Sequence, residues 1–169
     1  MADLSMDMLL HPPFESDPPV KFNINAKTLG LIYAIVGGIL ALFGLAGVFA
    51  VFGLSALGAA LGVTQIFVLL VAGAIIGEIG TIMVAWGGYQ MYQEKPEGKR
   101  MAILGFAVRV LGGLIGALGG LSPVGIFGWI IGTAVTFCFY YLVVISRFPG
   151  EVPLVATGGV PGGTPPPPA

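Results

Sequence analysis

Fifty consecutive residues of this chain, from Thr28 to Gly77, contain no charged side chain. A helix on the surface of a soluble domain needs a polar face, so an uncharged stretch of this length does not fit one. A helix that crosses a bilayer needs about 20 apolar residues, and the stretch has room for two such spans and a turn. Charged residues make up only 9% of the whole chain, whereas soluble domains carry about 25%. The sequence therefore predicts an all-α integral membrane protein.

Four transmembrane helices are predicted, arranged as a bundle of two helical hairpins. The loop at residues 93–100, QEKPEGKR, separates the hairpins because it is the most hydrophilic internal segment and contains Pro96 and Gly98, which favour turns. Ser122 is a favoured N-cap and Pro123 fits a first helical position, so the last helix is expected to begin there. The four spans are expected at about 28–52, 66–91, 101–119 and 123–146.

The two ends of the chain differ in composition from the transmembrane domain at 28–146. Residues 1–27 include four prolines, which lack the amide hydrogen that a regular helix uses, so we expect a disordered, extended arm. Residues 147–169 end in GGVPGGTPPPPA and cannot bury enough apolar surface to order themselves. We expect a flexible Pro- and Gly-rich tail.

The positions of the basic residues predict the orientation of the spans. Six of the seven lie before the first span, between the second and third, or after the fourth: Lys21, Lys27, Lys95, Lys99, Arg100 and Arg147. The other two connections contain no lysine or arginine. Because cytoplasmic loops carry an excess of basic residues, both termini and the loop at 93–100 are predicted to be cytoplasmic.

The segment GGYQMYQEKPEGKRMAILG, residues 87–105, places an aromatic helix end before a short basic loop and the next helix. In this style it resembles many small bacterial four-span membrane proteins, although the likeness covers only about a tenth of the chain. The resemblance implies a bacterial plasma (inner) membrane and identifies no activity.

Two charged residues lie inside the predicted spans. Glu78 is near the middle of the second span and Arg109 is in the third. A charged side chain at this depth costs a few kcal/mol unless it is paired, neutralised or exposed to water. With a rise of 1.5 Å per residue, the two backbones differ in depth by about 6 Å, which a guanidinium can bridge. We therefore predict an intramembrane charge pair between adjacent helices.

The charge pair can be interpreted in two ways. Glu78 and Arg109 could only fix the register of the hairpins, or Arg109 could extend to the headgroups while Glu78 stays protonated. Alternatively, the pair could form a gate or an ion or proton relay, with Glu78 as the titrating group.

Glycines spaced four residues apart predict close helix packing, because both members of such a pair lie on one helix face and allow the backbones to approach. A dedicated dimerisation face is the alternative interpretation. The residues concerned are Gly73 and Gly77, Gly112 and Gly116, and Gly128 and Gly132.

Several function classes are not supported by the composition. The formal net charge of -1 offers no basic surface for nucleic acid. A single histidine, His11, and a single cysteine, Cys138, cannot build a common zinc site, and no cofactor motif is present. The segments outside the spans contain no nucleophile with a base and no phosphate-binding loop, so we do not expect an enzyme.

We predict a small non-enzymatic membrane protein that acts as an accessory or structural subunit. Its expected partners are the lipid bilayer and a second copy of the chain or a larger membrane complex, reached through glycine-lined helix faces. The alternative is a small transporter or channel component that uses Glu78 and Arg109.

Overall fold

The computed structural model describes residues 12, 24–60, 64–120 and 123–149. It contains four helices, which we number in chain order: α1 Ala26–Ala60, α2 Thr64–Tyr92, α3 Glu97–Gly120 and α4 Pro123–Ile145. All four are long and apolar enough to cross a membrane. The described residues contain no β-strand, and a single isolated bridge pairs Asn25 with Arg147. The prediction of an all-α protein with four such helices is confirmed.

Two helices are longer than the sequence patterns predict. α1 continues to Ala60, eight residues past its predicted end, because its glycines satisfy their backbone hydrogen bonds within the helix and no proline or charge interrupts it. α3 begins at Glu97, inside the segment predicted as a loop. An acidic residue in the first turn is favourable next to the positive end of the helix dipole. Most of the arm and of the tail, 1–11, 13–23 and 150–169, lies outside the described residues.

The four helices converge at one end of the molecule, which we call the base. Its buried core contains residues from all four helices: Ala26, Leu29, Tyr33, Val84, Met91, Ala102, Ile103, Phe106, Tyr140, Val143 and Val144. Tyr33 joins three helices there. Its ring packs edge-on against Phe106 at 5.8 Å and Phe139 at 6.0 Å between centroids. Its hydroxyl donates a hydrogen bond of 2.8 Å to the carbonyl oxygen of Phe139.

Polar contacts tie both described ends of the chain to the base. The amide of Ala26 donates to the carbonyl oxygen of Arg147 at 2.7 Å, and the amide of Arg147 donates to the carbonyl oxygen of Ile24 at 3.1 Å. Lys99 Nζ donates to the carbonyl oxygen of Ser146 at 2.8 Å, which places a positive charge at the negative end of α4. The segments that lead into α1 and out of α4 therefore lie at the same end of the molecule as the α2–α3 connection.

The C-terminus of α2 ends in a Schellman motif. The amide of Lys95 donates to the carbonyl oxygen of Gln90 at 3.0 Å, and the amide of Glu94 donates to that of Met91 at 2.9 Å. Glu94 has a φ of 61° at the position where glycine is usual. Its carboxylate accepts a hydrogen bond of 2.8 Å from Lys27 Nζ, in an ion pair whose two side chains are about half exposed.

We expect Glu94→Gly to be more stable than Glu94→Ala by about 1 kcal/mol, because only glycine adopts a positive φ without a steric penalty. Both variants lose the carboxylate that pairs with Lys27, so the comparison isolates the backbone effect. Thermal unfolding midpoints in detergent micelles measure the difference. Equal midpoints for the two variants would contradict the left-handed conformation of this residue.

Candidate functional site

Glycine lines the contact between α2 and α3, which is the most extensive helix contact in the molecule. The two helices are joined by the connection that is predicted to separate the hairpins, so the closest packing lies between the predicted hairpins. On each helix the glycines recur every seven residues and face each other in antiparallel order. They are Gly73, Gly80 and Gly87 on α2, and Gly98, Gly105 and Gly112 on α3. We call this set the glycine ladder.

The glycine ladder brings the two backbones into direct contact. A Cβ atom built on Gly80 would lie 2.5 Å from the backbone nitrogen of Arg109 and 2.7 Å from the carbonyl oxygen of Gly105. One built on Gly87 would lie 2.5 Å from the backbone nitrogen of Ala102. Real Cβ atoms do not approach other atoms this closely, and backbone cannot move aside as a side chain can. No residue other than glycine fits these positions without separating the helices.

The predicted glycine pairs differ in their surroundings. Gly73 and Gly112 lie in the ladder, where a Cβ on either would overlap backbone of the facing helix at Gly116 or Gly77. Gly77 itself has nothing within 4 Å of its own built Cβ. Gly128 and Gly132 on α4 also face open space. The structure thus brings the first two pairs together and leaves the pair on α4 without a neighbour.

α1 packs against α2 through three glycines with the same seven-residue spacing, Gly30, Gly37 and Gly44. A Cβ on Gly30 would lie 2.6 Å from the backbone nitrogen of Tyr92, and one on Gly37 would lie 3.1 Å from the Cβ of Ala85. The third position, Gly44, faces the side chain of Glu78. The missing side chain at Gly44 therefore provides the space that the carboxylate of Glu78 occupies.

Glu78 is buried between α1 and α2, with 8% of its surface exposed. A Cβ added to Gly44 would overlap Glu78 Oε2. Glu78 Oε1 is buried and has no hydrogen-bond partner among the residues that the structure describes. Buried polar atoms in proteins are almost always hydrogen-bonded, so an unpaired carboxylate oxygen at mid-helix is an unusual feature.

Arg109 lies near the middle of α3, about 18 Å along the helix from Glu97. Its backbone contacts Gly80 in the glycine ladder, whereas its side chain is exposed. Arg109 Nη1 donates to Thr81 Oγ1 at 3.5 Å, the long limit of a hydrogen bond. In turn, Thr81 Oγ1 donates to the carbonyl oxygen of Gly77 at 3.1 Å.

The predicted partners, Glu78 and Arg109, belong to helices that pack against each other, α2 and α3. Within the described part of the chain, no nitrogen of Arg109 lies within 4.0 Å of a Glu78 oxygen. The carboxylate is directed to α1, and Arg109 is one of the residues that line a cavity formed mainly by α3 and α4. The structure therefore places the two groups in neighbouring spaces rather than in direct contact.

The cavity between α3 and α4 has a volume of about 410 Å³. Glycines on both helices, among them Gly113, Gly116 and Gly132, leave parts of its walls without side chains. Trp129 Nε1 donates to the carbonyl oxygen of Val110 at 3.3 Å and links the two helices beside the cavity. Thr133 also lines it, and its Oγ1 is buried and lacks a hydrogen-bond partner among the described residues.

Sequence reasoning from four-residue spacing missed Gly44, Gly80, Gly87, Gly98 and Gly105. The signal that finds them is the seven-residue repeat, because residues seven apart on a helix return to nearly the same face. The cavity has no comparable signal, since it depends on how far α4 lies from α3.

Among the described residues there is no group of three or more His, Cys, Asp or Glu side chains that could hold a metal ion. Comparison with protein-family models, with curated proteins and with solved structures finds no match to this chain.

Proposed function

We propose that this chain is a non-enzymatic accessory or structural subunit of a membrane assembly, and that α1 supplies its contact with a partner. Most described residues in the second half of α1 are exposed, and the contacts that Gly44 and Gly58 make there are with α2. Four exposed small residues, Ala46, Gly47, Ala50 and Gly53, lie next to one another there at spacings of three and four. We call them the α1 small-residue patch.

The glycines of this patch carry the proposal. A glycine in a helix interior costs about 1 kcal/mol of helix stability relative to alanine. At Gly30, Gly37 and Gly44 the close contact with α2 offsets that cost. Gly47 and Gly53 have nothing within 4 Å of a built Cβ. Because small residues let transmembrane helices approach closely, a second helix on this patch would supply the contact that the monomer lacks.

A second copy of α1 is the partner that we propose. The patch is flanked by large exposed side chains, Phe43 at 71% and Phe49 at 73% exposure, which can pack around a central small-residue contact. A two-fold axis near Ala50 would bring the patch of one copy against the same patch of the other, as in the isologous interfaces of most homodimers.

Cysteine cross-linking in a Cys138→Ser background tests this contact. We expect Ala50→Cys to give a covalent dimer on mild oxidation in membranes. The control is Phe127→Cys, which replaces a residue 65% exposed on α4 and should remain monomeric. The Gly47→Leu/Gly53→Leu double variant should abolish the Ala50→Cys cross-link. Gly128→Leu changes an equally open glycine on α4 and should leave the cross-link intact.

Native mass measurement after gentle extraction provides the second readout. A dimer that the Gly47→Leu/Gly53→Leu pair converts to monomer supports the proposal. A chain that is strictly monomeric and free of other proteins in nanodiscs would overturn the subunit role. A different protein that co-purifies in stoichiometric amount, and that the Gly47→Leu/Gly53→Leu variant no longer binds, would show that the partner is not a second copy. That result would support the accessory role.

The alternative role, transport through Glu78 and Arg109, has less geometric support. A relay needs both groups in one pathway, whereas Glu78 lies at the α1–α2 contact and Arg109 lines the α3–α4 cavity. The unpaired Glu78 Oε1 is the single observation that favours this role.

We also propose that the base faces the cytoplasm of a bacterial cell. Lys27, Lys99 and Arg147 lie at this end, where the described ends of the chain meet the α2–α3 connection. The positive-inside rule assigns such an end to the cytoplasmic side.

A further inference from the structure

In the α3–α4 cavity an intramembrane charge, that of Arg109, lies beside an open space. Its volume of about 410 Å³ is within the range of small-ligand pockets. Leu70, Val110, Ala117 and Trp129 make most of the wall apolar, and the glycines of α3 and α4 add no polar side chain. The cavity is partly open rather than enclosed, and both α3 and α4 are long and apolar enough to cross a membrane, so a bilayer would supply acyl chains around it. An apolar chain is therefore the natural occupant of most of this space.

Arg109 defines the polar part of the ligand. A guanidinium carries five N–H donors, and the structure shows a single long bond from Arg109, to Thr81. No described carboxylate forms an ion pair with it. A cation exposed near the middle of a bilayer is unfavourable by about 2.5–3.5 kcal/mol on insertion scales. An oxyanion in the cavity would neutralise it and could accept two parallel hydrogen bonds.

The depth of Arg109 selects among anionic lipids. The backbone of Arg109 lies about 18 Å from the Glu97 end of α3 and about 17 Å from its Gly120 end. A phospholipid keeps its phosphate and two acyl chains anchored at the headgroup level, which is too far away. A single-chain carboxylate has no such anchor and can place its charged end deeper. Thr133, on the opposite wall, could turn its unpaired hydroxyl toward the same carboxylate by rotation about χ1.

We propose that the α3–α4 cavity binds a long-chain fatty acid, with its carboxylate at Arg109 and its acyl chain along Trp129 and the glycine-lined wall. This site is separate from the α1 small-residue patch, so it does not depend on the proposed subunit contact.

Trp129 provides a direct reporter of occupancy. The full chain carries one other tryptophan, Trp86, which is exposed on α2. In a Trp86→Phe background, dibromostearate added to protein in phosphatidylcholine nanodiscs should quench Trp129 by contact, with a saturable dependence on concentration. The methyl ester of the same acid, which lacks the charge, and a dibrominated phosphatidic acid should each bind at least about tenfold more weakly.

Variants distinguish binding in the cavity from general contact between the protein and lipid. Arg109→Gln should weaken binding about tenfold or more, and Arg109→Lys should retain part of the affinity because it keeps the charge. Gly132→Leu should block binding, because Gly132 lines the cavity and has room for a side chain. Gly128→Leu is the matched control: it lies one turn earlier on α4, is equally open and does not line the cavity.

Size-exclusion profiles equal to that of the parent show that each variant is folded. Quenching that is not saturable, or that is the same in Arg109→Gln, Gly132→Leu and Gly128→Leu, would overturn the proposal. Stronger quenching by the brominated phosphatidic acid than by the fatty acid would also overturn the single-chain ligand.

Discussion

Gly80→Ala is expected to destabilise the protein by about 1–3 kcal/mol, although alanine is the better helix former. The new methyl group would lie 2.5 Å from the backbone nitrogen of Arg109, so α2 and α3 would have to separate along the glycine ladder. Gly80→Leu should prevent folding. Thermal unfolding in detergent, followed by circular dichroism and by the size-exclusion profile, measures both changes.

Gly77→Ala is the matched control for this prediction. Gly77 lies three residues earlier on the same helix and has nothing within 4 Å of a built Cβ. Its replacement should be neutral or slightly stabilising, because alanine has the higher helix propensity. If Gly77→Ala and Gly80→Ala lowered the unfolding midpoint equally, the register of α2 against α3 described above would be wrong.

Gly44→Leu is expected to destabilise the α1–α2 contact by about 2–3 kcal/mol, because its side chain would occupy the space that holds the carboxylate of Glu78. Shortening the opposing side chain should relieve the conflict. We therefore expect Gly44→Leu/Glu78→Ala to be more stable than Gly44→Leu alone, with at least half of the loss recovered. Unfolding midpoints in one detergent measure the double-mutant cycle.

Gly38→Leu is the control for nonspecific effects of a leucine on α1, since Gly38 has nothing within 4 Å. It should leave the midpoint nearly unchanged, and its combination with Glu78→Ala should show no rescue. Additive effects of Gly44→Leu and Glu78→Ala would contradict the placement of the carboxylate against Gly44.

The sequence is sufficient to predict the four helices because charge is scarce and its positions are clear. The uncharged run up to Gly77 and the segment at 93–100 divide the chain into stretches that can only satisfy their backbone hydrogen bonds as helices in lipid. Helix ends are less predictable. Glycines such as Gly53 disfavour a helix in water, but in lipid an unwound backbone would leave its polar groups without partners, so α1 continues past them.

The environment of the two intramembrane charges could not be predicted from depth alone. Chain order places Glu78 and Arg109 on consecutive helices and depth places them at similar levels, but the direction of each side chain depends on the rotation of α2 and α3 about their axes. The glycine ladder sets that rotation, and it directs Glu78 to α1. Four-residue glycine spacing indicates close packing without identifying which face packs, whereas the seven-residue spacing of Gly73, Gly80 and Gly87 identifies it.

The length of α1 has a consequence for the membrane around it. Its 35 residues extend about 52 Å, whereas the hydrocarbon core of a bilayer is about 30 Å thick. Even at a tilt of 40°, the upper end of the usual range, α1 would span about 40 Å. The remaining hydrophobic mismatch must be met by thickening of the nearby bilayer or by emergence of the end at Ala60. The angle between α1 and the rest of the protein is therefore coupled to the thickness of the membrane that contains it.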